Sequence, residues 1–136
     1  MSPGTDGSRV KTGSGTLTLS GTNTFTGGTT INAGTLTLGH ATDTLANAGT
    51  VNIAGGVLAL GSNTDTVGTV NLSSGSITGS GTLTGSAYNL TDSGNISANL
   101  GGSAALTKSG AGTATLSGTN TFTGGTTINA GTLAVS

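Results

Sequence analysis

Residues 11–38 read KTGSGTLTLSGTNTFTGGTTINAGTLTL, and residues 108–135 read KSGAGTATLSGTNTFTGGTTINAGTLAV. Of these 28 aligned positions 23 are identical, and the offset between the copies is 97 residues. Inside each copy a shorter unit recurs, Gly-Thr-apolar-x-apolar: GTLTL at 15–19 and 34–38, GTVNI at 49–53, GTVNL at 68–72, GTATL at 112–116 and GTLAV at 131–135. Several of these start 19 residues apart, so the long offset is about five short periods. Within a unit the alternation is strict: Leu17 and Leu19 point one way while Thr16 and Thr18 point the other, the period-2 signature of a half-buried strand. Each run is only four or five residues long and is bounded by Gly, Ser or Asn, the residues that accept left-handed turns. No stretch shows apolar residues at helical spacing, and Glu is absent from the chain.

Composition alone points elsewhere. The 136 residues include 30 Thr, 27 Gly, 16 Ser and 11 Asn, and only 27 are Leu, Ile, Val or Phe. So few large apolar residues with so much Gly and Ser suggest a flexible linker. Register decides against it, because a linker has no reason to hold Phe25 and Phe122, or Ile31 and Ile128, at equivalent places. Collagen is excluded by the lack of a Gly period of three and by a single Pro. Short strands recurring every ~19 residues predict an all-β, right-handed parallel β-helix (β-solenoid) of about six coils. Residues 1–10 are expected as a tag, linker or tail. Residues 11–136 are expected as a single solenoid, with repeat copies at 11–38 and 108–135 and looser coils over 39–107.

The stretches GTLTLSGTNTFTGGTTINAGTLTL (15–38) and GTATLSGTNTFTGGTTINAGTLAV (112–135) resemble the autotransporter-associated β-strand repeat, also called the passenger-associated transport repeat. That family belongs to large surface proteins of Gram-negative bacteria secreted by the type V pathway. The resemblance implies a β-helical passenger, exported through the outer membrane, folded outside and displayed at the cell surface. It also implies a repeat that assists export and folding, in parents that are often adhesins, biofilm components or virulence factors. A whole member would carry a signal peptide and a C-terminal translocator barrel. Neither pattern is present here, so an excised stalk segment is expected.

Little in the sequence supports chemistry. The net charge of −1 gives no field to hold nucleic acid. Without Cys there is no disulfide and no thiolate metal site, and no apolar run is long enough to insert in a membrane. The only acids are Asp6, Asp43, Asp65 and Asp92. Asp43 and Asp65 could approach each other if ATDTL 41–45 stacks on NTDTV 63–67, but no second base accompanies them. The Gly-Gly pairs at 27–28, 55–56 and 124–125 lack the following Asp of a calcium-binding nonapeptide. His40 is the sole histidine and is expected as a polar turn residue. No catalytic, cofactor-binding or metal-ligating residue is assigned, no cofactor is expected, and ligand-binding residues are left open, as are glycan and host-surface partners.

Of the remaining singled-out residues, Phe25 and Phe122 are expected to fill the core at a coil corner. Tyr88 is expected at a loop, packed or exposed, and Lys11 and Lys108 are expected in solvent. Asn32, Asn52, Asn71 and Asn129 are expected to stack as amide ladders between coils. Thr-x-Thr pairs such as 16/18 and 35/37 raise a second reading, a binding module whose Thr/Asn faces take glycan or ice, though Asn at 52 and 71 and Ala at 134 interrupt the rows. Open solenoid ends are expected to associate end to end.

Overall fold

The computed structural model describes residues 9–23, 27–42 and 44–136. Among the described residues there is no helix, and fifteen strands follow one another. They are β1 (Arg9–Lys11), β2 (Thr16–Leu19), β3 (Thr29–Ile31), β4 (Thr35–Leu38), β5 (Val51–Ala59), β6 (Asp65–Thr66), β7 (Thr69–Thr78) and β8 (Thr82–Thr84). The rest are β9 (Ala87–Leu90), β10 (Gly94–Ile96), β11 (Asn99–Gly101), β12 (Leu106–Lys108), β13 (Thr113–Leu116), β14 (Thr126–Ile128) and β15 (Thr132–Val135). Every pairing between them is parallel.

The chain winds into a β-solenoid with three faces. One face stacks β1, β3, the first half of β5, the first half of β7, β9, β12 and β14. A second stacks β2, β4, the far ends of β5 and β7, then β10, β13 and β15. The third is shorter, with β6, β8 and β11 in register. The two long faces therefore have seven rungs, or six coil-to-coil steps, which at ~4.8 Å per step is about 29 Å. Paired residues lie 17 to 22 apart in sequence, centred on the expected 19. Residues 1–8 lie outside the described residues, and Arg9 and Val10, placed in the expected tail, pair with Thr29 and Thr30 as part of β1.

The alternation read from the sequence is what builds the core. On the first face the inward column runs Lys11, Ile31, Ile53, Leu72, Leu90, Lys108, Ile128. On the second it runs Leu17, Leu36, Leu58, Ile77, Ile96, Leu116, Val135. On the third side Leu83 and Leu100 pair in register, and both are fully buried. Because an apolar side chain inside the stack is covered from above and below by the neighbouring coils, few large apolar residues are enough for the core.

The corner between the first two faces turns on glycine. Gly34 has φ 70°, and the equivalent Gly131 has the same value. A Cβ at Gly34 would overlap the carbonyl oxygens of Gly13 and Gly15 in the coil beneath, so both backbone conformation and stacking exclude a side chain there. In β5 and β7 the strand runs through this corner without a break. The cost is a register irregularity between Ile53 and Val57, which joins the two long faces in one twelve-stranded sheet.

Candidate functional site: the lysine corner and the stitched coil edges

The two repeat copies build the same corner. Lys11 ends β1 and Lys108 ends β12, each at an inward position of the core column. Lys108 is fully buried, between Leu90 below and Ile128 above. Its methylenes stay among the apolar side chains while Nζ folds back to donate to the carbonyls of Ser109 (2.8 Å) and Gly110 (3.0 Å). Lys11 does the same to Thr12 (2.8 Å) and Gly13 (2.9 Å), half-buried on the first rung. The expectation of two solvated lysines is thus corrected. A turn that aims successive carbonyls at one point supplies a charged group with the partners it would otherwise seek in water. The next coil completes the arrangement, since a Cβ at Gly34 would stand 2.6 Å from Lys11 Nζ and one at Gly131 would stand 2.7 Å from Lys108 Nζ. The surrounding bonds repeat too: Asn32 N donates to Lys11 O (2.9 Å) and Asn129 N to Lys108 O (2.8 Å).

Tyr88, expected at a loop, lies in the core between Val70 and Leu106 and is fully buried. Its hydroxyl accepts the N–H of Gly85 (2.8 Å), and its one proton is shared between the carbonyls of Gly101 (2.5 Å) and Leu83 (3.0 Å). Burial pushes the phenol above its ordinary value, partly offset by the backbone bonds to Gly85 and Gly101. Phe122 packs against the core and meets the Tyr88 ring at 5.6 Å between centroids, tilted by 55°. Phe25 lies outside the described residues.

Asparagine and aspartate side chains add bonds between coils, within the strands and beyond them. Asn71 Nδ2 donates to Asn52 Oδ1 (2.8 Å) and Asn89 Nδ2 to Asn71 Oδ1 (2.9 Å), an amide ladder over three coils that Thr30 and Thr107 continue in register. The ladder was expected at Asn52 and Asn71, but its third member is Asn89. Asn32 and Asn129 are not part of it, because they fall one residue beyond β3 and β14, in the corner. The signal for Asn89 was available, in its place 18 residues after Asn71 between two inward side chains. On the third side Asn99 donates to Ser80 O (3.1 Å) and accepts from Thr119 N (2.7 Å), linking the coils below and above it. Asn120 Oδ1 accepts from Leu100 N (2.9 Å), and the repeat-equivalent Asn23 donates to Thr44 O (2.8 Å).

The carboxylates are used the same way. Asp65 is buried and accepts from Leu45 N (2.8 Å) in the preceding coil and from Thr66 N (2.9 Å). Asp92 accepts from Gly112 N (2.7 Å) in the following coil. Asp43 lies outside the described residues, and with it the expected Asp43–Asp65 approach. His40 is the turn residue expected, its Nδ1 against Thr42 O and its backbone bonded to Thr44 Oγ1. Among the described residues no three acidic or histidine side chains converge on a point that could hold a metal. A hollow of about 140 Å³ runs along Thr18–Asn23, lined by main chain and small polar side chains with no titratable group among them. The outward rows are mixed. Thr16 and Thr35 are followed in register by Val57, Ser76 and Asn95, and Thr18 and Thr37 by Ala59.

Comparison with known families assigns the two ends. Residues 10–38 and 106–135 match the passenger-associated-transport-repeat model. Both end segments are similar to the passenger-associated transport repeat. This agrees with the resemblance read at 15–38 and 112–135 and extends each copy back through its lysine strand. No curated protein and no solved structure matches the chain. In the structure each matched segment is a two-rung unit: β1 to β4 in the first copy, β12 to β15 in the second. Within each, the lysine corner of the lower rung is closed by the glycine of the upper. The match is to a repeat of autotransporter passengers, and the stacked parallel coils are the β-helix such a repeat implies.

Proposed function

We propose that this chain is a β-helical stalk segment of a secreted, surface-displayed autotransporter passenger, and that its repeats promote the folding and export of the passenger. The observation that carries this reading is the closed two-rung unit built by each family match. Lysine, corner carbonyls and overlying glycine come from within 24 residues of sequence (Lys11 to Gly34), so the unit is completed by local chain. A segment emerging from an export channel needs such a seed, because every later coil pairs only with the coil before it. The amides of Asn71, Asn89, Asn99 and Asn120 and the carboxylates of Asp65 and Asp92 bond across coils, which supports a role in spacing and presentation. Adhesion and biofilm formation then depend on what the stalk holds away from the cell.

The test places the chain ahead of a translocator barrel in a Gram-negative host and reads surface display by accessibility to external protease. Lys108→Ala and Gly131→Ala are expected to lower display more than Leu72→Ala, a core truncation outside both repeats chosen to lose similar stability. Equal losses for all three would leave the repeats with no special part in export.

A further inference from the structure

We infer that Ser20–Leu116 is a five-coil cassette whose copy number sets the length of the stack. The run Leu19–Leu36, repeated unbroken as Leu116–Leu133, is the seam at which a further cassette joins. The stack then lengthens by 97 residues at a time without any new kind of contact. The inference bears on the reach of the proposed stalk, but its test reads folding and length alone, so its failure leaves the export reading standing. Phase is the first requirement, and the chain meets it. From Lys11 to Lys108 the inward column passes Ile31, Ile53, Leu72 and Leu90, so the 97-residue offset spans five whole coil-to-coil steps.

Within the run the two copies are built alike. Asn23 Nδ2 and Asn120 Nδ2 each donate to the carbonyl two residues earlier, Gly21 O and Gly118 O, both at 3.2 Å. Gly34 and Gly131 share one φ, and each closes its lysine corner from above. Towards the neighbouring coils the copies use different atoms. Asn120 accepts Leu100 N from the coil beneath at Oδ1 (2.9 Å), whereas Asn23 donates Nδ2 to Thr44 O of the coil above (2.8 Å). A single asparagine in a seam makes both bonds at once, because an amide accepts at oxygen and donates at nitrogen. The main chain divides in the same way. Ser117 N donates to Ile96 O beneath (2.9 Å), and Leu19 O accepts Gly39 N from above (2.7 Å).

The positions at which the copies differ all lie outside the run: Thr12/Ser109, Ser14/Ala111 and Leu17/Ala114 before it, Thr37/Ala134 and Leu38/Val135 after it. Ala114 stands where Leu17 would be, fully buried over Gly94, and a Cβ on Gly94 would already lie 2.7 Å from the Leu72 side chain. A larger side chain at this point overfills the core. A chain that crosses from the second copy to the first inside the run keeps Ala114 over Gly94 and brings Leu38 in above. In that chain Leu116 is followed by Ser20 where Ser117 follows it now. Among the described residues the stacked pairs at the seam are pairs the native stack already holds. Lys108 under Ile31 repeats Lys11 under Ile31, Ala114 under Leu36 repeats Ala114 under Leu133, and Leu116 under Leu38 repeats Leu19 under Leu38.

The test lengthens the full chain by inserting a second copy of residues 20–116 after Leu116 and compares it with the native chain. Far-UV circular dichroism, urea denaturation and small-angle X-ray scattering of the single-chain fraction are the readouts. The lengthened chain is expected to keep the same β signal per residue and a urea midpoint no lower than the native one. Its longest dimension is expected to grow by about 24 Å, which is five steps of one strand spacing. A control receives residues 30–126 at the same point, a block of equal length that begins about half a coil out of step. It is expected to lose both the single transition and the added length. A third chain, with residues 11–107 inserted after Thr107, has the right phase but sets a leucine over Gly94, and is expected to fold with a lower midpoint than the first. A lengthened chain that loses its β signal or gains no length overturns the proposal, as does an out-of-step insertion that lengthens equally well. A third chain as stable as the first overturns the placing of the seam within the identical run.

Discussion

In the column Leu90–Lys108–Ile128 the middle side chain keeps its methylenes in the core and its ammonium on two carbonyls of its own turn. Truncation therefore removes both packing and a cap. Lys108→Ala is expected to cost about 2–4 kcal/mol, read from urea midpoints. Lys11→Ala, on the half-covered first rung, is expected to cost below about 1 kcal/mol. Equal effects at the two sites would mean that burial adds nothing to the cap. Tyr88 gives a pH signature. Its folded pKa lies above the unfolded value of 10.0, so the folded state holds the phenol proton more tightly. The linked stability is fully present below pH 10.0 and is lost as pH rises through the folded pKa. Alkaline denaturation is expected to lose its steep part in Tyr88→Phe, which at neutral pH costs about 1–3 kcal/mol by leaving Gly85 N–H without its acceptor. The place of the lysine was not legible in the sequence, because a lysine among Gly and Ser reads as solvated and only the folded corner shows acceptors within its reach. For Tyr88 the signal lay in its neighbours: AYNL 87–90 follows TVNL 69–72 by 18 residues, which puts the ring in the inward column of Val70.

At the scale of strands, the amide ladder on Asn52, Asn71 and Asn89 shows how a sheet face can be joined by side chains as well as main chain. Asn71 holds both ladder bonds. Asn71→Ala is expected to cost about 1–2 kcal/mol, and Asn71→Thr less, since Thr30 and Thr107 already occupy the same column. Thermal denaturation of the two variants checks the order, and an alanine variant as stable as the threonine one would show the ladder idle. The alternation in GTLTL, GTVNI and GTVNL was sufficient to place every inward residue of these strands, because a period of two leaves one choice of face. The corner residues were harder. Asn32 lies only one position beyond β3, yet that step removes it from the ladder, and a strand boundary is set by hydrogen bonds rather than by residue type. The stitching by Asp65 and Asp92 was hidden for a related reason: their amide partners lie 20 residues away in sequence, in coils whose stacking had first to be known.

For the molecule as a whole, contacts run between neighbouring coils, so stability is expected to be a sum over coils and their junctions. Leu72 and Leu90 occupy the same column, and deletion of residues 73–90 removes one complete coil. The shortened chain is expected to fold with an unchanged β spectrum, a lower midpoint and a proportionally smaller denaturant m-value. Deletion of residues 73–81 alone removes about half a coil, puts the next strands on the wrong faces, and is expected to abolish cooperative unfolding. If both deletions fold equally well, coil register is not what holds the stack. The fold at this scale was the most legible part, since a 97-residue offset that divides into about five short periods leaves little besides a solenoid.

The strands lie across the long axis of the stack, and this orientation decides how the molecule carries load. Tension applied between its ends does not shear a sheet along its strands, where many hydrogen bonds would resist together. It peels one coil from the next, breaking the bonds in succession. Each coil that detaches pays out roughly 60 Å of chain, so a pulled molecule lengthens in separate steps at modest force and dissipates the work. A stack built in this way is a shock absorber as much as a spacer.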